Sequence, residues 1–175
     1  MPDAAHVRVV LASVIALAAI TAPATASPRH PQTGLSAQAI LSQINTIRAQ
    51  HGLKSLRFIR PLRQAAGLHS EEMGSRGYFA HESADGTTFW KRVGQYYGSN
   101  GYRYWSVGEN LLWSSGTLTP EAAVSMWMNS PPHRKNLLDR HWRQVGLSVK
   151  QFAAAPGVYQ GLPVAIVTAD FGVRY

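Results

Sequence analysis

Residues 108–138 read GENLLWSSGTLTPEAAVSMWMNSPPHRKNLL, and the fold is decided there. One acid, Glu109, stands between Gly108 and Asn110 and runs into the apolar Leu111, Leu112 and Trp113. These residues predict a short strand or helical turn over 107–113. The loop SSGTLT closes on Thr119, a good N-cap, with Pro120 suited to the first helical position. Glu121 then meets the positive end of the helix. The spacing predicts a helix over 120–129 that buries Ala123, Val124, Trp127 and Met128. Ser130-Pro131-Pro132 ends it, since proline lacks the N–H and restricts the residue before it. A short helix over 133–138 follows, led by His133 and packed through Leu137 and Leu138. A carboxylate and an imidazole are thus tied to rigid segments.

Upstream, Ser36 is an N-cap for a helix over 37–50 with Ile40, Leu41, Ile44 and Ile47 on one face, ended by Gly52. Leu56 and Phe58 plug the core from the connection. Pro61 opens a second helix whose inner stripe is Leu62, Ala65, Ala66, His69 and Met73, with Gly74 and Gly77 bracketing its exit. His69 reads as a core histidine bonded to backbone. Tyr78 and Phe79 anchor the chain next to His81, and Asp85-Gly86 is a turn. Thr87 or Thr88 caps a short helix carrying Phe89, Trp90 and Val93. Residues 94–107 are rich in aromatics and glycine, with no period for a long helix; their tyrosines either roof a site or cover the core.

Downstream the chain reads as sheet. Residues 145–149 alternate, 153–161 connect, and 163–171 form a longer apolar strand. Helices first and strands last predict an α+β fold in three packed layers, not a repeated βαβ unit. No glycine-rich phosphate motif is present.

The N-terminus is a different kind of sequence. Arg8 is a thin basic region, Val9 to Ile20 is apolar except for Ser13, and Ala24-Thr25-Ala26 has the small-x-small pattern of a cleavage site. This predicts a secretory signal peptide over 1–26. The twelve-residue stretch from Val9 to Ile20 is short against the ~20 a membrane span needs. A flexible arm over 27–35 and one domain over 36–175 follow. The 149 residues after Ala26 suffice for one core. They contain no cysteine, which excludes thiol chemistry, cysteine zinc sites and iron–sulfur clusters.

The chain carries a net charge of +8, all of it retained after cleavage because Asp3 and Arg8 cancel. Outside a cell this favours an anionic cell-wall or lipid surface. A small apolar or glycan ligand suits the aromatic stretch. No nucleic acid is expected, because Arg57, Arg60 and Arg63 sit in no binding motif. The expected state is a monomer.

His81, Glu109 and His133 are the candidates for chemistry. Their separations of 28 and 24 residues exclude a local ligand motif, so only the fold can join them. Joined, they read two ways. Two imidazoles and a carboxylate make a first shell for a divalent cation such as zinc. Alternatively, they form a metal-free network in which both histidines share Glu109. Ser83 and Ser130 lie close in sequence to His81 and His133, but sequence adjacency is not triad geometry.

Four segments resemble the CAP superfamily, also called the SCP or sperm-coating-protein domain, in its short secreted bacterial form. They are residues 64–83, QAAGLHSEEMGSRGYFAHES; the GEN of 108–110; residues 127–138, WMNSPPHRKNLL; and VGL at 145–147 with ADFG at 169–172. The resemblance spans roughly 36–172. It implies a three-layer α-β-α sandwich, secreted, around an open central cleft. It places His81, Glu109 and His133 at the family's two histidines and GEN glutamate, which bind a divalent cation in some members. Larger members carry a second glutamate before the second histidine; here that place falls at Asn129 or Ser130, neither acidic. The family shares no common reaction. The expected function is a secreted, non-catalytic binder of a lipid, glycan or cell-wall component. The alternative is a divalent-metal-assisted hydrolase using the same cleft.

Overall fold

The computed structural model describes residues 8–10 and 34–175. The expected cleavage point at Ala26 and most of the arm over 27–35 lie outside the described residues. In chain order the elements are β1 (Arg8–Val10), α1 (Ala37–Gln50), β2 (Arg57–Phe58), α2 (Arg60–Arg76), α3 (Phe89–Gly94) and β3 (Trp105–Ser115). They continue with α4 (Pro120–Met128), α5 (Pro131–Leu137), β4 (Gln144–Phe152), a 3₁₀ turn at Gly157–Tyr159 and β5 (Val164–Arg174).

The strands form one mixed sheet in the order β1-β3-β5-β4-β2. Its heart is β5, antiparallel to β3 on one side and to β4 on the other. The register sets Glu109 against Asp170 and Asn110 against Ala169. Two parallel edge pieces complete it, β2 beside β4 and β1 beside Ser106–Gly108. Since β1 lies within the expected leader, the domain proper contributes four strands.

Strand alternation sends the core to both faces. On one face Leu112, Leu147, Val167, Ala169 and Phe171 pack with Ile40, Ile44, Val124 and Trp127 of α1 and α4. On the other, Val107 packs with Leu62, Phe89 and Val93 of α2 and α3, and Leu111 and Ile166 with Met73. The result is the expected α+β, three-layer sandwich.

The caps are where the sequence puts them. Ser36 Oγ accepts from Ala39 N at 3.2 Å, and Thr119 Oγ1 from Ala122 N at 3.1 Å. Gly77 closes α2 in the left-handed region at φ 72°. Gly74, read as part of that exit, is inside α2 instead. A Cβ there would lie 2.1 Å from Cε2 of Phe152, so the glycine lets helix and strand approach. Strand β3 is longer than predicted, at 11 residues, because its apolar and polar members both find partners across β5. The two prolines after Ser130 do end α4, but they also open α5, occupying its first turn where no N–H is needed.

Candidate functional site

The GEN triplet assigns one residue to each task because successive strand residues face opposite ways. Gly108 and Asn110 face α5, and Glu109 faces α2 and α3.

Gly108 is small because its neighbours are close. A Cβ would meet Trp142 at 2.8 Å and Asn136 Oδ1 at 2.9 Å. Asn110 Nδ2 donates to the carbonyl of His133 at 3.1 Å. Asn136 Nδ2 donates to Asn110 Oδ1 and to the carbonyl of Glu109, both at 3.0 Å. These neutral amides bind α5 to β3, and with it the backbone that carries His133.

The opposite face is ionic. Glu109 is wholly buried. Its Oε1 contacts His81 Nδ1 at 2.8 Å, and its Oε2 accepts from Arg92 Nη2. Arg92 Nη1 donates to the carbonyl of His81 at 2.9 Å and to Ser83 Oγ at 3.2 Å. The guanidinium therefore ties the segment around His81 to the carboxylate. Burial pushes the Glu109 carboxyl up, but the Arg92 charge and the His81 hydrogen bond outweigh it and bring it to about 2.

Asp170 faces Glu109 across the ladder and is also wholly buried. Among the described residues no donor reaches either of its carboxyl oxygens. Burial and then the neighbouring Glu109 hold its carboxyl well above the ordinary carboxylate range. The pair is thus one ionised and one neutral acid.

His133 belongs to the neutral side. Its Nδ1 lies 2.8 Å from Ser130 Oγ, while its buried Nε2 has no partner among the described residues. Ser130 is the N-cap residue of α5 by conformation, yet its hydroxyl caps no backbone N–H. It is turned to the ring instead. Burial, then the charge of His81, lowers His133 to about 4, so the ring is neutral at neutral pH. Ser130 has no standard nucleophile geometry: no carboxylate orients the far side of His133. Ser83 is held by Arg92, not by a base.

The three sequence candidates are therefore related, but not as one shared hydrogen-bonded set. His81 is on Glu109, and His133 is near enough to sense a charge on His81. His133 does not share Glu109, because Ser130 takes its Nδ1 and Arg92 takes the second carboxylate oxygen. In the full chain the side chains are more enclosed than an open cleft implies, with His81 6% and His133 2% exposed.

For a divalent cation the donor chemistry is mixed. Among the described residues no group of three or more His, Cys, Asp or Glu side chains is arranged to hold a metal ion. Both Glu109 oxygens are engaged, one by a cation already. The unpartnered Nε2 of His133 fits a ligand role, with Ser130 orienting the ring. Glu109 fits the supporting role of fixing the His81 ring rather than binding an ion itself.

The remaining candidates fall to packing. His69 Nε2 lies 2.9 Å from the carbonyl of Ala80, the backbone bond its position on the α2 stripe suggested. Burial lowers it to about 4. Tyr97 and Trp105 are core residues, and Trp105 Nε1 donates to the carbonyl of Tyr97. Asp85 forms the turn, accepting from Thr87 N at 2.8 Å.

Sequence reasoning missed Arg92 and Asp170. Each left a signal. Arg92 lies three residues after Phe89 and next to Val93, on the inward register of α3, where a basic residue needs a buried partner. Asp170 is a lone acid inside a strand otherwise buried and mostly apolar.

Residues 41–162 match the family described as the cysteine-rich secretory protein family, CAP. An uncharacterised protein of Bacillus subtilis, YkwD, is 32% identical over 133 residues, covering 72% of this chain and 49% of that protein. Among solved structures, an extracellular protein containing a SCP domain from Bacillus anthracis shares 30% identity at a TM-score of 0.57, covering 77% of this chain and 39% of that one. An outer surface protein of Borrelia burgdorferi has the same fold at a TM-score of 0.58 and 21% identity, covering 79% of this chain and 92% of its own. The chain thus spans about half of YkwD and less of the B. anthracis protein.

Proposed function

The chain belongs to the CAP family, and on that premise we propose that it is an extracellular, non-catalytic binding protein. Its ligand is a lipid, glycan or cell-wall component received beside His81 and His133. The observation that carries this reading is the way the polar groups are used up. Both Glu109 oxygens are taken up by His81 and Arg92, and no hydroxyl is paired with an oriented base. Beside His81 the ring of His133 keeps an unpartnered Nε2 for a ligand, while the other unpartnered polar atoms of the cluster, Arg92 Nε and the Asp170 carboxyl oxygens, lie behind it in the buried acid pair. A preorganised polar group of this kind serves recognition at low entropic cost.

Export is part of the same reading. The signal-peptide pattern over 1–26 and the extracellular or outer-surface character of structural neighbours support it. No helix among the described residues is long and apolar enough to cross a membrane. Culture fractionation should recover a chain beginning at Ser27 outside the cytoplasm. A membrane-retained chain still starting at Met1 would refute the leader.

The alternative is a divalent-metal-assisted hydrolase. The Glu109–His81 contact favours it, since a carboxylate behind an imidazole is a common support for a metal ligand. A bound divalent ion would supply Lewis acidity there, with His81 and His133 as its protein ligands.

One experiment separates the two readings. The mature protein is incubated with isolated cell-wall polysaccharide and with fatty-acid-loaded vesicles, and in parallel with p-nitrophenyl acetate with and without zinc. Binding to one of the first two, weakened in His133→Ala at unchanged melting temperature, is expected. Zinc-dependent, saturable ester hydrolysis abolished in His81→Ala would establish the hydrolase instead.

A further inference from the structure

We propose that the far end of β3 and β5 carries a second binding site, for an acidic polysaccharide. There, Tyr104, His141, Arg143, Val173, Arg174 and Tyr175 line a pocket of about 590 Å³. None of them touches His81, Glu109 or His133 in the contacts described above.

Two arginines line this pocket, and the guanidinium of each is fixed without any carboxylate. Arg143 Nη1 donates to the carbonyls of Arg140, His141 and Trp142, at 2.7, 3.1 and 2.9 Å. Its Nε and Nη2 have no partner among the described residues. Arg174 is clamped between two rings, 4.1 Å from the Tyr97 centroid and 4.5 Å from that of Tyr102, and its Nη1 donates to Gly98 O at 2.9 Å. Among the described residues neither arginine is within 4.0 Å of a carboxylate. The nearby acid Asp139 is committed to the N–H and ring of His141. Arg103 and Arg140 are exposed in the adjoining segments. An arginine whose rotamer is already fixed loses little entropy when it binds an anion, and its planar fork matches a carboxylate.

The aromatic part argues for sugar rings. Tyr104 and Tyr175 are stacked at 5.0 Å and 19°, so no slot for a nucleobase lies between them. The outer ring, on a residue 68% exposed, offers its face to the C–H groups of a pyranose. A membrane fits less well. The exposed aliphatic residues Leu68, Val158 and Leu162 are not among the pocket residues, so this end offers no apolar wedge.

The test uses the mature protein, with polygalacturonate as the probe and neutral dextran, anionic phosphatidylglycerol vesicles and an oligo-dT strand as comparators. Polygalacturonate should bind in a salt-sensitive way and dextran should not. Arg143→Gln should weaken binding about ten-fold or more, the loss expected for a charge-assisted hydrogen bond. Tyr175→Ala, which keeps every cation, should also weaken it. Arg76→Gln removes the same charge from the far end of α2 and should leave binding within about two-fold, because a distant surface charge is screened. Thermal melts confirm that each variant is folded. Equal losses in Arg143→Gln and Arg76→Gln would reduce the effect to net charge and overturn the site. So would no binding of polygalacturonate, or tighter binding of vesicles or oligo-dT.

Discussion

The two sides of β3 solve the same problem with different chemistry. Toward α3, Glu109 is held by a guanidinium and an imidazole, with a neutral acid, Asp170, across the ladder. Toward α5, Asn110 and Asn136 bond each other and two backbone carbonyls with no formal charge. One residue of sequence separates these environments. An ionic cluster in a dry interior is sensitive to loss of a partner and to pH. An amide network is sensitive mainly to shape. The difference explains why a glycine, an acid and an amide stand in succession: each meets a neighbour that tolerates no exchange.

The largest expected losses test the ionic side and the core beneath it. Arg92→Met should cost about 3–5 kcal/mol, because Glu109 stays buried without its cation. Trp127→Ala should cost a similar ~3–5 kcal/mol. Trp127 is 1% exposed, and its Nε1 donates to the carbonyl of Leu111, so the variant loses packing and a hydrogen bond. Against a domain total of about 5–15 kcal/mol either loss is severe. Urea denaturation checks both; a loss below ~1 kcal/mol for Arg92→Met would dissolve the contrast between the two sides.

The amide side should respond less. Asn136→Ala removes the donor that serves Asn110 and Glu109, and an unsatisfied buried acceptor costs about 1–3 kcal/mol. The same urea titration should place it below Arg92→Met.

Acid should separate the groups by sign. Glu109 is depressed to about 2, so its stabilising contribution is present above its unfolded value and is lost as pH falls toward 2. His69 and His133 are lowered to about 4, so the unfolded chain takes up protons first and stability falls as pH drops from about 6.5 toward 4. His133→Gln should flatten that stretch of the stability profile and leave the loss nearer pH 2. Asp170 is raised, so its contribution is present at low pH and lost as pH climbs through its folded value. Asp170→Asn keeps a neutral donor beside Glu109 and should gain on the wild type as pH rises. A wild type and variant that stay parallel at every pH above the ordinary carboxylate range would mean that Asp170 is not the neutral member of the pair.

Much of this architecture was readable in advance for local reasons. Caps at Ser36 and Thr119, the stripe on α2 and the proline stop at 131 depend on neighbours in sequence. His81 and Glu109 could be named from their anchored positions and from the family resemblance. Their partners could not be derived that way. Arg92 reaches Glu109 across 17 residues, and Asp170 meets it through the register of two strands 61 residues apart. Such pairings are decided by tertiary packing, which no local period encodes. The role of Ser130 was hidden for a related reason. In the sequence it reads only as part of the proline stop, three residues before His133, and only the fold turns its hydroxyl to that ring.

The division of the site between its two histidines is tested most directly by ¹⁵N-resolved NMR of their ring nitrogens. The spectra are recorded on wild type, Glu109→Gln and Ser130→Ala at one neutral pH. The carboxylate beside Nδ1 of His81 fixes the proton on that nitrogen, so Glu109→Gln should shift the Nδ1 resonance of His81 strongly and that of His133 only slightly. Ser130→Ala should do the reverse. Equal responses of both rings to Glu109→Gln, or none in His81, would contradict the account.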